Sequence, residues 1–228
     1  MNARLPIALL VTFSLLVGCA STPQAPVQLA GDSLKGTKIG IAMAPLPKTD
    51  TNLLGAGCLL CMAAASVANS TLTDYTRKLP QEDLPNLKNR LAKVLRDKGA
   101  EVVVIDEPLN LAKLPSTSTK GVNTADKDFS SIKQKYQIEK LLVVNVYMLG
   151  IVRTYANYVP TSDPKATFKA TGYIVNLKNN TYDWFLPVDV TKSADAVWDE
   201  PPKFPGLTNA YFQTLELGQD SFLKPLSE

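Results

Sequence analysis

The chain has 228 residues, enough for one ordinary domain together with export and linker segments. Its 24 Lys and Arg stand against 21 Asp and Glu, a formal charge of +3 spread without single-sign blocks, which argues against nucleic acid or an acidic polymer as a partner. Histidine is absent, so the commonest general base at neutral pH, the commonest metal ligand and every Ser-His or Cys-His nucleophile pair are excluded.

At the N-terminus a positive charge, Arg4, precedes the apolar residues 5–17, which have the length and hydrophobicity of a secretory signal rather than a membrane span. The run ends in Leu16-Val17-Gly18-Cys19 and resembles the lipobox of bacterial lipoproteins, where small residues precede a cysteine that is acylated and freed by cleavage. The resemblance implies that residues 1–18 are a signal peptide. It also implies that Cys19 is the lipid-attachment site, carrying palmitate-like chains that anchor a periplasm-facing protein to a membrane of the cell envelope. Ala20 follows where Asp favours inner-membrane retention, so the resemblance points to the outer membrane. Residues 19–37, with Pro23, Pro26, Gly31 and Gly36, read as a flexible tether, which leaves residues 38–228 as a single periplasmic domain.

Within that domain, residues 38–46 form a short apolar run suited to a buried strand. Residues 81–98 predict a helix, with Asp83 as cap, Pro85 in the first turn, Gly99 as stop, and Leu84, Leu87, Leu91, Val94 and Leu95 on one face. Residues 101–105 (EVVVI) give a second buried strand, residues 108–123 a turn-rich crossing, and Asp126 opens a short helix that places Phe129, Ile132 and Tyr136 together. The β-branched run in residues 140–158 favours strand, with Gly150 as a bend. Residues 166–177 and 181–190 pair through Asn179-Asn180, with Tyr182, Trp184, Leu186, Val188 and Val190 on one face. A last helix follows residues 200–205 and turns Leu207, Tyr211, Leu215 and Phe222 toward the sheet.

This order predicts an α/β fold, a two-layer sandwich of mixed β-sheet and packed helices. The strand at 38–46, the Leu84 helix followed by EVVVI, the strand LLVVNVYMLG and the pair GYIVNLKNNTYDWF resemble the envelope lipoproteins related to the curli-secretion lipoprotein and the N-terminal domain of the Tol-Pal propeller protein. The resemblance covers most of residues 38–224 as a pattern of elements. It implies a non-catalytic role in envelope assembly or maintenance, with an envelope protein or further copies of the chain as partner.

Residues 53–68 (LLGAGCLLCMAAASVA) carry no charge, and as a helix they would rise about 1.5 Å per residue, roughly 24 Å, short of a bilayer span. Either the segment packs inside the domain or under an oligomer neighbour, or Leu53, Leu54, Leu59, Leu60 and Met62 face lipid or a partner. The expectation favours packing, because a lipidated chain already has an anchor and a long exposed apolar segment invites aggregation. Contact with lipid would make the domain a lipid-binding or lipid-shuttling module. Cys58 and Cys61 have the spacing of a thiol-disulfide motif and lie in an oxidising compartment. A periplasmic thiol oxidoreductase would place the first cysteine at an exposed helix N-terminus after a strand. Both cysteines lie within an apolar run, so the expectation is a structural pair, bridged or buried. Zinc would need two more ligands, and Gly55 and Gly57 are only a fragment of a phosphate loop, so neither a metal nor a cofactor is expected. Arg153, Tyr155 and Tyr158, with the turn at 160–165, form a polar aromatic cluster of the kind usual at strand ends.

Overall fold

A long β-branched strand organises the molecule, whose computed structural model describes residues 23–118, 121–200 and 203–227. The signal segment and Cys19 lie outside the described residues. Strand β4 (Lys140–Ala156) is 17 residues long and takes two parallel neighbours in succession along one edge. Strand β1 (Lys38–Met43) pairs with its first half, Ile39 opposite Lys140, and β2 (Asp50–Leu54) with its second half, Asp50 opposite Gly150. Strand β3 (Glu101–Val104) lies parallel beyond β1. On the other side β6 (Lys165–Asn176) and β7 (Thr181–Ser193) follow in antiparallel order, and the short β5 (Val159–Pro160) folds back on the end of β4. The protein is thus α/β, with a mixed seven-stranded sheet whose main order is β3-β1-β4-β6-β7.

Helices α3 (Leu87–Asp97) and α5 (Pro205–Ser227) cover one face of the sheet, and the shorter α4 (Ser130–Tyr136) covers part of the other. The apolar stripe predicted around residue 91 is the reason α3 docks: Leu84, Leu87, Leu91 and Leu95 are all fully buried. Each such leucine contributes about 1.5–3 kcal/mol relative to exposure. The helix begins later than its sequence pattern suggested, because residues Leu84–Asn86, which include Pro85, form a 3-10 turn and Asp83 makes no side-chain cap. Gly99, at φ +83°, ends the run as expected.

Three features differ from the sequence expectation. Strand β4 is irregular between Val146 and Met148 rather than at Gly150. Gly150, at φ +127°, serves another purpose: a Cβ there would strike the carbonyl of Asp50, so glycine lets β2 approach. The pairing of β6 with β7 slips between Ile174 and Val175, which turns Tyr182 away from Trp184, Leu186, Val188 and Val190 and onto the opposite face with Tyr173 and Phe185. The displaced Asp183 carboxylate then meets Lys140 Nζ at 2.8 Å. Finally, the segment read as a free tether is fastened over most of its described part. Val27 bridges to Phe185, the Gly36 N–H donates to the Gly99 carbonyl at 2.9 Å, and Leu34 is fully buried in the core. Its few apolar side chains, sparse in a Pro/Gly-rich stretch, are enough to dock it.

Candidate functional site: an uncharged tip at the end of the long strand

The far end of β4 gathers residues that the sequence keeps apart. Strand β2 ends at Leu54, and Gly55, at φ +86°, turns the chain so tightly against Tyr155 that a Cβ would strike the Tyr155 carbonyl oxygen. The Gly55 carbonyl accepts the Asn157 N–H at 3.3 Å, which ties this turn to the hairpin joining β4 and β5. After Ala56 and Gly57 the chain enters helix α1 (Leu59–Ala68), and Cys58 is its N-cap, in extended conformation, with the Cys61 N–H donating to Cys58 Sγ at 2.9 Å. Cys58 and Cys61 are joined by a disulfide.

The two sulfurs have different surroundings. Cys58 is exposed, and the Tyr158 hydroxyl, the only donor of the pair once the sulfur is oxidised, lies 3.7 Å from its Sγ. Cys61 is 1% exposed and packs with Ala56, Ala65, Tyr155 and Leu53. Cys61 and Ala65, one turn apart, are the buried residues of α1. The rest of the helix faces outward: Leu59 is 88% and Leu60 70% exposed, and Met62 and Val67 are exposed as well. Leu54, Tyr158 and Val159 add their side chains at the same end of the sheet. No charged residue occurs in 51–73 or 154–162.

A buried polar network fixes this tip to the sheet. Asn69, between α1 and α2 (Ser70–Thr76), donates from Nδ2 to the Ala65 carbonyl at 2.7 Å and to the Tyr155 hydroxyl at 2.6 Å. Its Oδ1 accepts from Arg153 at 3.0 Å, and that guanidinium lies 5.0 Å from the Trp198 ring. Between β2 and the two helices runs a groove of about 490 Å³, bounded by Leu54, Met62, Ser66, Ser70 and Arg77. Arg77 closes it through hydrogen bonds to both Asp50 carboxylate oxygens, at 3.0 and 3.2 Å, and these raise the guanidinium pKa.

The shifted acids lie elsewhere. The Glu107 carboxyl is lowered to about 2 by the Tyr136 hydroxyl and then by Lys135, and burial pushes Tyr182 up to about 12. Among the described residues no cluster of three or more metal-ligating side chains occurs, and no helix is long and apolar enough to cross a membrane.

Two expectations need correction. Residues 53–68 are not packed inside the domain: they divide into the end of β2, a glycine turn and a helix whose larger apolar side chains are exposed in the single chain, so of the two packed arrangements expected only burial under a neighbouring copy fits. Small residues at 63–65 and a single narrow contact stripe leave α1 little to bury. The cysteine pair also has the context that its apolar flanks argue against, since a strand precedes it and Cys58 opens a helix. The polar aromatic residues are brought to the same tip, Tyr155 in its floor, Tyr158 on its rim and Arg153 behind. The missing charge in two separate segments was the one sequence signal that linked them.

No family model and no curated protein matches the chain. Among solved structures, a PelC dodecamer from Paraburkholderia phytofirmans is similar at 11% identity and TM-score 0.36, over 89% of this chain and 95% of that one. A DUF330 protein from Xanthomonas campestris is similar at 10% identity and TM-score 0.34, over 89% and 94%. A lipoprotein from Neisseria meningitidis is similar at 10% identity and TM-score 0.31, over 78% and 99%. At these identities and scores the likeness reaches neither family membership nor function.

Proposed function

We propose that the chain is an outer-membrane lipoprotein that contributes to envelope assembly or maintenance by docking another envelope protein at its uncharged tip. The observation that carries this reading is the exposed collar of Leu54, Leu59, Leu60, Met62, Tyr158 and Val159 around the start of α1. Rimmed apolar surface of this kind marks interaction sites, and the alanines of α1 permit close backbone approach by a partner.

A lipid surface fits the tip less well. Helices that lie on membranes pair their apolar face with Lys or Arg, and α1 has neither. The anchor also belongs to another part of the domain. Val27 pairs with Phe185, which is level with Tyr173 and Val143 across the sheet. From that level to the end of β4 is roughly 43 Å at the usual strand rise. Gln24, held to Asn123 at 2.9 Å, is near the same level. The chain from there to Cys19 spans at most about 17 Å. The described N-terminal segment thus joins the domain far from the tip, which supports a tip facing away from the membrane. The lipobox and the resemblance to curli-secretion lipoproteins support the same address and role.

The experiment places a photo-crosslinking amino acid at Leu60, and as a control at the more exposed Val122, in intact envelopes. The expected result is a discrete protein adduct at Leu60 that Val122 does not give; an adduct of twice the chain's mass would identify the partner as a second copy. Lipid adducts alone, or equal yields at the two positions, would overturn the reading.

A further inference from the structure

We infer that Cys58–Cys61 is a thiol-disulfide exchange site, and that its substrate is a protein segment carrying free thiols flanked by apolar residues. The inference rests on the docking reading of the tip and adds a reaction to it. It stands on the unequal placement of the two sulfurs within one helix turn.

Cys58 is an exposed residue, whereas Cys61 is 1% exposed and enclosed by Ala56, Ala65, Tyr155 and Leu53. An incoming thiolate can therefore attack only at Cys58. When the mixed disulfide is resolved and Cys58 is released, its sulfur stands at the N-terminus of a ten-residue helix, where the Cys61 N–H and the Tyr158 hydroxyl already point at it. Donors and the positive end of the helix dipole favour a thiolate there. Cys61, in an apolar pocket, favours the neutral thiol. A structural disulfide gains nothing from such asymmetry and is usually covered; this one is ringed by exposed apolar side chains at its reactive end.

A partner thiol ionises and its thiolate attacks Cys58 Sγ, forming a partner–Cys58 disulfide. The Cys58–Cys61 bond breaks, and its electron pair leaves on Cys61, which takes up the proton that the partner released. A second partner thiol gives its proton to solvent and its thiolate attacks the partner's own sulfur in the mixed disulfide, and Cys58 departs as the thiolate that the helix terminus stabilises. One partner dithiol is oxidised to a disulfide and Cys58–Cys61 is reduced to a Cys58 thiolate and a Cys61 thiol. Reoxidation needs a disulfide donor, of the protein or small-molecule disulfide class.

The test uses the full-length lipoprotein in its envelope and as purified in detergent. In envelopes, Cys61→Ala should accumulate a reductant-sensitive adduct through Cys58, and Cys58→Ala should accumulate none. With purified protein, a cysteine peptide flanked by leucine and phenylalanine should reduce the disulfide at least ten-fold faster than glutathione at equal thiolate concentration. Leu59→Ser with Leu60→Ser should remove that preference, and a thermal melt of each variant confirms that it is folded. No mixed disulfide and no peptide preference, while the Leu60 photo-adduct persists, would overturn the exchange site and leave the docking reading intact. Loss of the photo-adduct as well would overturn both.

Discussion

The Asn69 amide donates a 2.6 Å hydrogen bond to the Tyr155 hydroxyl, across 86 positions of sequence, and so fixes the end of α1 to β4. Both partners are buried, and the same Asn69 holds Arg153. Replacing it removes three interactions and leaves the buried Tyr155 hydroxyl without its donor, while Arg153 keeps only its bond to the Ser162 carbonyl and its ring contacts. Asn69→Ala should destabilise the domain by about 2–3 kcal/mol, the cost of orphaned buried polar groups. Urea denaturation reads the shift, and a midpoint equal to wild type would mean that water replaces the amide without loss.

The core on the α3 face makes a contrasting pair. Leu91 is fully buried in the middle of the helix stripe, and Lys93 is exposed. Leu91→Ala should cost about 2–5 kcal/mol through lost burial and a residual cavity. Lys93→Ala should stay within about 0.5 kcal/mol. Matching midpoints for the two variants would show that the buried face of α3 is misassigned.

Much of this architecture was readable from sequence because its signals are local. The α3 stripe, the EVVVI strand and the long β-branched run state their periodicity without help from the rest of the chain. The face of Tyr182 was not readable, since it is set by a slip in the pairing of β6 with β7, beside an Asp183–Lys140 contact to a third strand, and neither has a local sequence signal. Strand β2 was missed for a similar reason: DTNLL has little strand character alone and pairs with a part of β4 that exists only because that strand continues past Gly150. The site therefore showed in sequence as an oddity of composition in residues 53–68. Its division into strand, turn and helix, and the helix-opening place of Cys58, are tertiary.

Alkaline pH should act through the aromatic cluster on the α4 face. Tyr182 is raised to about 12, mainly by burial and then by the charge of Asp126, and burial raises Tyr173 as well. An unfolded tyrosine ionises near 10. Below that pH both states are neutral and the stability is fully present; it is lost as pH rises from about 10 toward 12, because the unfolded chain gives up its proton first. Denaturation midpoints between about pH 8 and 11 should fall less for Tyr182→Phe than for wild type. Parallel declines would show that Tyr182 ionises as easily folded as unfolded.

At the N-terminus, Cys19→Ser should leave an unprocessed or mislocalised precursor, because stable membrane attachment requires two or more lipid chains. Fractionation together with mass analysis of the N-terminal peptide decides it. Full membrane retention of the serine variant, with no lipid mass on the wild-type peptide, would remove the anchor from the account.

The docking role of the tip is tested most directly by Leu60→Asp. Leu60 is 70% exposed, so a charge there should leave the folded domain within about 0.5 kcal/mol of wild type. The same charge in a docked apolar interface would be desolvated without a partner, and association should fail. The measurement is a thermal melt of the lipoprotein beside cross-linking of its intact-envelope complex, for wild type and Leu60→Asp. The account predicts an unchanged melt and a lost complex. An unfolded variant, or a complex that survives the charge, would contradict it.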